Sequence, residues 1–233
     1  MTTQLAYNSD PARKAAILAA MRADIAADRL VKGQYWQDGK GCAIGCLVRG
    51  SSHDDAAALV RMPVELAGLF DAIFEGLPNG EAMAWPVQFL DAIEPGADLS
   101  LVWPRWAHWL LREEVSAVAA HDPACAKTVA DVATLFAEWI GGVCPKTEAW
   151  KMAAGAAWAA RAAAAGAAAA GAAAAGAVGA AGAAAEAAAG AAKASGAAAG
   201  ASGAAAGAAS YGRQRDKLID LLSAATASTT TTS

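Results

Sequence analysis

Apolar side chains recur three and four positions apart along the first 140 residues, which is the spacing of one face of an α-helix. The first such stretch begins at Pro11, where a missing N–H costs nothing, and Ser9 or Asp10 can cap it. A longer stretch follows Pro63. Its apolar face consists of Leu66, Leu69, Phe70, Ile73 and Phe74.

Further helices are predicted after Asn79, Asp98 and Asp122, with Pro86 bending or restarting the first of them. Gly141 and Gly142 end the last of these helices. Because the predicted connections are short, neighbouring helices are expected to run antiparallel. The pattern therefore predicts a mainly all-α fold, a helical bundle.

The segment "GQYWQDGKGCAIGCLVRGSSH", residues 33–53, lacks this spacing. Its "DG" pair is a turn signal that lies between an aromatic pair and a short apolar run. We therefore predict one small β-hairpin within the bundle.

The composition changes sharply near Trp158, because residues 153–209 are almost entirely Ala and Gly. Four regions follow from this change: a globular helical domain over 1–150, an Ala/Gly-rich helical arm over 151–210, an amphipathic terminal helix over 211–225, and a disordered tail over 226–233. The eight Trp all lie at or before Trp158, so the bulky core is expected in the first region.

The Ala/Gly-rich arm is expected to protrude, or to fold back as a helical hairpin. Gly costs roughly 1 kcal/mol relative to Ala at each interior helix position, so the isolated arm is marginal as a helix. Small residues permit close backbone approach, which favours self-association through the arm. Residues 162–185 are uncharged and long enough to span a bilayer, but Ala and Gly give little transfer energy and an aromatic belt is missing, which disfavours membrane insertion.

The formal net charge of −4 disfavours a nucleic-acid partner, since such proteins use clustered Lys and Arg to neutralise phosphates. The N-terminal "MTTQLAYNSDPARK" does not have the pattern of a secretory signal. We therefore expect a cytoplasmic protein with its four cysteines reduced.

Three interpretations compete for the cysteine segment. In the first, Cys42 or Cys46 is a catalytic nucleophile with His53 as its base, since thiolate chemistry needs a partner that lowers the thiol pKa. In the second, Cys42, Cys46 and His53 bind zinc. The fourth ligand would then come from Cys125, Cys144, His108 or His121. In the third, which we favour, no cofactor is present and the thiols fill a small apolar core.

With buried, unreactive thiols, the same segment is best suited to recognition. Tyr35, Trp36, Lys40 and His53 supply aromatic and cationic groups that a ligand or a partner loop can contact. The chain is then predicted to be a non-catalytic binding protein. The alternatives are a cysteine-dependent enzyme and a zinc-stabilised module.

The blocks "GQYWQDGKGCAIGCLV", "MPVELAGLFDAIFEGLPNGEAMAWPVQFLDAI" and "GADLSLVWPRWAHWLL" resemble a family of uncharacterised proteins of tailed phages and prophages. Members of that family often carry a variable Ala-rich C-terminal helix ahead of a short amphipathic end. The resemblance covers roughly residues 10–225. It implies an accessory phage protein in the bacterial cytoplasm that binds a host protein or a small signalling molecule of host defence.

Overall fold

The computed structural model describes residues 5–120, 122–166 and 204–225. Over these residues the chain is mainly helical and contains no β-sheet. The helices are α1 (Pro11–Ala26), α2 (Ala43–Val48), α3 (His53–Val60), α4 (Val64–Gly76), α5 (Asn79–Ala92), α6 (Val102–Trp109), α7 (Ser116–Ala119), α8 (Pro123–Ile140), α9 (Thr147–Gly166) and α10 (Ala204–Ser223). A 3-10 turn (Ala6–Ser9) precedes α1, and a π-helical turn (Leu110–Val115) joins α6 to α7.

The described part of the chain divides into two compact units. The first unit contains residues 5–103 and 215–225, and the second contains residues 104–120, 122–166 and 204–214. The division falls within α6 and again within α10, whereas the composition of the sequence predicts a single domain over 1–150. Within these described ranges, we find no helix with both the length and the apolar character that a membrane span requires.

The core of the first unit is built around α4 and α5. The apolar face predicted after Pro63 is fully buried. Two large polar side chains in this core are satisfied by backbone carbonyls: the Tyr7 hydroxyl donates to Leu90 O at 2.7 Å, and Trp85 Nε1 donates to Phe70 O at 2.8 Å. The unit therefore contains bulky aromatic side chains without leaving these donors unpaired.

Helix ends in both units follow the capping signals of the sequence. The Asp10 side chain accepts a hydrogen bond from Ala12 N at the start of α1, and Asp122 accepts from two backbone N–H groups at the start of α8. Gly141 ends α8, as predicted. Pro86 lies inside α5, which continues through it.

The second unit is held by contacts between helices and by one ion pair across a long chain separation. Phe136 of α8 lies 4.9 Å from Trp150 of α9, measured between ring centroids. Arg213 of α10 donates to both carboxylate oxygens of Glu114 at 2.6 Å, and that carboxylate also accepts a hydrogen bond from Ser210. The π-helical turn that carries Glu114 was not predicted.

The predicted β-hairpin is not confirmed. Residues 37–40 form the expected two-residue turn with one isolated bridge, but the apolar run that follows it is helix α2. The Cys42 side chain caps this helix by accepting from Gly45 N at 3.5 Å. A helix of six residues is too short to show the helical period in the sequence.

The Ala/Gly-rich arm falls mostly outside the described residues. The first residues of the arm belong to helix α9, which ends at Gly166. Its last residues belong to helix α10, which begins at Ala204. The predictions of self-association through residues 167–203 and of a disordered tail over 226–233 lie outside the described ranges. The amphipathic end is present in α10, where Leu218 and Leu222 are buried in the first unit.

Candidate functional site

The candidate site is built on the non-helical segment between α1 and α2, in the first unit. Its turn is closed by two backbone hydrogen bonds between Gln37 and Lys40, of 2.8 and 3.0 Å. Asp38 and Gly39 occupy its centre with φ of 52° and 79°, the left-handed conformation that two-residue turns of this kind need. The "DG" signal of the sequence is therefore explained by the backbone.

The Tyr35–Trp36 backbone lies directly against two glycines. A Cβ added to Gly45 would lie 2.9 Å from Trp36 N and 3.1 Å from the Tyr35 carbonyl carbon. A Cβ added to Gly41 would lie 3.1 Å from both Trp36 Cα and Tyr35 O. Since these atoms belong to backbone, they cannot rotate away. The glycines therefore allow α2 and the segment before it to hold Tyr35 and Trp36 in place.

Two pairs of side chains meet at the adjacent residues Tyr35 and Trp36, and we call the four together the aromatic rim: Tyr35, Trp36, Arg49 and His53. Tyr35 is 42% exposed, and its ring meets the His53 ring edge-on with 6.0 Å between centroids. The Arg49 guanidinium lies over the Trp36 ring, 4.3 Å from its centroid, in cation–π geometry. The rim thus presents aromatic surface with one cation already stacked on it.

Arg49 is positioned by a buried carboxylate. The Asp24 side chain is 1% exposed and pairs with Arg49 at 2.7 Å and with Arg29 at 3.1 Å. The hydrogen bond to Asp24 raises the pKa of Arg49 and keeps it charged. The predicted contact residue Lys40 lies away from this group: it pairs with Asp28 at 3.0 Å, and both side chains are solvent-exposed.

Cys42 lies under the rim and faces carboxylates. Its residue is 2% exposed, and burial, with Asp71 as the next largest cause, raises the pKa of its thiol to about 12. A catalytic thiolate needs the opposite environment, a cation or a helix N-terminus that lowers the pKa. The surroundings of Cys42 therefore hold it as a neutral thiol.

Asp71 and Glu75 of α4 complete a group that we call the carboxylate–thiol cluster: Cys42, Asp71 and Glu75. One ligand atom from each of the three lies within 4.8 Å of the other two. His53 Nε2 lies 3.4 Å from Asp71 Oδ2, and the Gly33 N–H donates to both oxygens of Glu75 at 3.0 and 2.9 Å. Burial raises the pKa of Glu75 as well.

Cys46 has different neighbours from Cys42. Its thiol donates to Gly41 O at 3.4 Å, and burial, followed by Asp24, raises the pKa of the thiol to about 11. The two cysteines of the segment therefore do not share a site, although they lie one helical turn apart. The structure groups Cys42 with two carboxylates that the sequence analysis did not select.

The other predicted metal ligands lie elsewhere or outside the described residues. Cys125 is buried in α8, where burial and then Asp122 raise the pKa of its thiol, whereas Cys144 is exposed after α8. His108 lies half-buried on α6. His121 is not among the described residues. Of the described residues among them, Cys125, Cys144 and His108 do not join the carboxylate–thiol cluster.

A groove and a smaller cavity in the first unit are both lined by residues outside the aromatic rim. The groove of about 770 Å³ lies between α5 and α10, with Asp91, Glu94 and Arg215 among its lining residues. The smaller cavity of about 360 Å³ lies between α3 and α4, beside Arg61 and Pro63. The rim is therefore a surface at which contacts are made, distinct from both of these hollows.

Comparison with known proteins gives no match: no protein family, no curated protein and no solved structure is significantly similar to the chain. The resemblance to phage proteins thus stays a prediction, and the site has to be interpreted from its own geometry.

Proposed function

We propose that the chain is a non-catalytic binding protein that recognises a partner protein through the aromatic rim. The observation that supports this most is the close contact between Gly45 and the Tyr35–Trp36 backbone, at which a Cβ would lie 2.9 Å from Trp36 N. This packing fixes an exposed tyrosine on a rigid backbone, so little conformational entropy is lost when a partner binds.

The composition of the rim also suits protein recognition. Tyr, Trp and Arg are the residue types that most often dominate the energy of protein interfaces. Here a 42% exposed Tyr35 lies beside His53, and Arg49 is stacked on Trp36. Asp24 is shared by Arg49 and Arg29 and only partly offsets their charge, so the rim offers aromatic contact and hydrogen bonding together with some positive charge. A partner that inserts an apolar side chain beside Tyr35 would match it.

A small signalling molecule fits this surface less well than a protein does. Small-molecule sites are usually concave and enclose most of the ligand. The groove and the smaller cavity of the first unit are lined by other residues. The setting that the resemblance implies, an accessory phage protein in the bacterial cytoplasm with a host protein as its partner, is part of this proposal.

The surroundings of Cys42 favour this function over the cysteine enzyme. A nucleophilic thiol requires a base within hydrogen-bonding reach. In the structure His53 pairs with Asp71, and the carboxylate of Asp71 is the charged group that acts on Cys42. The charged group that acts on the thiol is therefore a carboxylate, which raises the thiol pKa, where a nucleophile needs a group that lowers it.

Site-specific photocrosslinking tests the proposal. A photoreactive phenylalanine analogue at position 35 is compared with the same analogue at Ala20, an exposed position on α1, in bacterial cells that express the chain. We expect a discrete crosslinked protein from position 35 that Ala20 does not give. With that protein purified, Tyr35→Ala should weaken binding by about tenfold or more, whereas Arg22→Ala on exposed α1 should change it less than about twofold.

Identical crosslinking from both positions, or an affinity that Tyr35→Ala leaves unchanged, would overturn the proposal. Crosslinks to a small molecule in place of a protein would assign the rim to the other ligand class.

A further inference from the structure

The carboxylate–thiol cluster has the composition of a metal site. Thiolate, carboxylate and imidazole are the groups that bind Zn²⁺, and a thiolate selects Zn²⁺ and related transition metals over Mg²⁺ and Ca²⁺. Cys42, Asp71 and Glu75 place one sulfur and two carboxylate oxygens within 4.8 Å of one another. Atoms that surround one metal ion are separated by distances of this order.

Each of the three side chains is oriented by a hydrogen bond or ion pair from outside the cluster. Gly45 N–H donates to Cys42 Sγ at 3.5 Å, and Gly33 N–H donates to both Glu75 oxygens. His53 lies 3.4 Å from Oδ2 of Asp71. Metal ligands in proteins are commonly held by such outer contacts, which fix their direction before the ion binds.

Asp71 carries an independent sign of a missing partner. Its Oδ1 atom is buried with no N–H or O–H donor among the described residues; Oδ2 is engaged by His53, and the Cys42 thiol, a weak donor, is the other group that faces the carboxylate. A buried carboxylate oxygen without a partner is costly, and such atoms in native proteins usually have an ion or a water as their partner. The free oxygen belongs to a residue of the cluster.

Positive charge near the cluster is limited. Among the described residues, Lys32 interacts electrostatically with Glu75 but forms no ion pair with it, and His53 is the ion-pair partner of Asp71. Two carboxylates held close together in a half-buried place repel each other, and a divalent cation would remove that repulsion.

We propose that Cys42, Asp71 and Glu75 form a binding site for one Zn²⁺-type transition-metal ion, with His53 as the residue that positions Asp71. When the ion binds, the Cys42 thiol loses its proton to solvent and the resulting thiolate coordinates the metal. The bound ion would tie the segment before α2 to α4. The metal site shares only His53 with the aromatic rim, so metal binding and partner binding can be tested separately through Cys42, Asp71 and Glu75 on one side and Tyr35 on the other.

The sequence analysis placed zinc on Cys42, Cys46 and His53, and the inferred site differs in its composition. Cys46 is turned toward Gly41 O and Arg29 O, so it is replaced by the two carboxylates of α4. This difference provides a matched control, since both cysteines are buried and only one belongs to the site.

Cobalt titration of the full chain tests the site. Co²⁺ substitutes for Zn²⁺ and gives a near-ultraviolet charge-transfer band only when a thiolate is bound to it. We expect saturation at one Co²⁺ per chain and displacement by Zn²⁺. The band should disappear in Cys42→Ser and persist in Cys46→Ser and in Cys144→Ser, which controls for the exposed thiol. The Ser hydroxyl can cap α2 in place of the Cys42 sulfur, so this variant is expected to fold.

The carboxylates give a second readout. Asp71→Asn and Glu75→Gln should each weaken Co²⁺ binding by at least about tenfold, and His53→Gln by about tenfold through Asp71. Excess Zn²⁺ should raise the melting temperature of the unaltered chain and of Cys46→Ser by about 5 °C or more, and leave that of Cys42→Ser unchanged.

Three results would overturn the site: no charge-transfer band in the unaltered chain, a band that survives Cys42→Ser, or metal affinity that neither carboxylate substitution changes. Circular dichroism of each variant confirms that the loss of the band is not a loss of fold. Should Cys42→Ser fail to fold, Asp71→Asn and Glu75→Gln decide the question by themselves.

Discussion

The two units of the chain use polar side chains in different ways. In the second unit Lys127 pairs with Asp131 and Thr134 donates to Ala130 O, one helical turn away in each case, and the long-range pair of Arg213 with Glu114 joins a helix to a helical turn. In the first unit polar groups join segments that are far apart in the sequence. Arg13 donates to Leu59 O, and Glu75 accepts from Gly33 N. The long-range contacts are the ones that bring Cys42, Asp71 and Glu75 together.

The comparison indicates where functional groups of different kinds are brought together in a helical protein. A contact within a helix satisfies a side chain without placing it near new partners. A non-helical segment that crosses several helices, such as residues 33–42, places unlike groups next to one another. The candidate site therefore lies in the unit whose irregular segment is held most closely by its surroundings.

The largest effect is expected where this segment meets α2. Gly45→Ala should destabilise the chain by about 3 kcal/mol, because the new Cβ would meet the backbone of Trp36 at 2.9 Å. Gly68→Ala is the matched control: it lies inside α4 with nothing within 4 Å of the added Cβ, and should be stabilising by about 0.5 to 1 kcal/mol. Urea unfolding measures both. Equal effects from the two substitutions would contradict the close packing of Tyr35 and Trp36.

A smaller effect is expected from the ion pairs, which differ between the two units. Asp24→Asn should cost about 2 kcal/mol in the free energy of unfolding, since a nearly fully buried carboxylate is removed from Arg29 and Arg49. Both arginines are almost half exposed, which keeps the cost below that of a fully buried pair.

Its counterpart in the second unit is Lys127→Ala, which removes an exposed ion pair with Asp131 and should cost about 0.5 kcal/mol or less. Chemical denaturation of the two variants at the same salt concentration compares them. Similar losses would show that the buried and the exposed pairs contribute alike, contrary to the contrast between the units.

A further loss of stability is expected in alkaline solution. Burial raises the pKa of Cys46 from 9.0 to about 11, so the folded chain keeps this proton at a pH where the unfolded chain releases it. Stability from this thiol is therefore complete below pH 9 and is lost as the pH rises toward 11. Burial also raises the pKa values of Cys42 and Tyr7, and both groups add to the loss as the pH rises.

Urea unfolding between pH 8 and pH 11 measures this loss, and Cys46→Ala should make the decline of stability with pH shallower. A decline of the same steepness in the variant would mean that other groups account for it.

Much of the helical architecture could be predicted from the sequence because its signals are local. Proline at the first helical position, an aspartate cap and a terminal glycine act within one turn, so α1 and α8 begin where Pro11 and Pro123 indicate. The apolar face of α4 was also predictable, because its side chains all point toward one core. Helix α2 was not, since its cap is a cysteine and its length is six residues.

The site was predictable only in part. Tyr35, Trp36 and His53 were selected from their residue types, and the structure brings Tyr35 and His53 into contact. Asp71 and Glu75 were missed, because on α4 they look like ordinary polar positions beside an apolar face. Their spacing of four residues places both carboxylates on one face of α4, which was the available signal. It indicates a site only once the Gly33–Cys42 segment is packed against that helix.

The glycines under Tyr35 and Trp36 have a consequence for any mutational library of this chain. A selection for folding alone would already reject every side chain at position 45, since the space there is filled by backbone. Tyr35, which is exposed, would vary freely under that selection and become restricted only when binding is selected as well. The positions that vary under selection for folding but are restricted under selection for binding would therefore identify the binding surface. Positions needed only for folding are restricted in both selections and would not be counted.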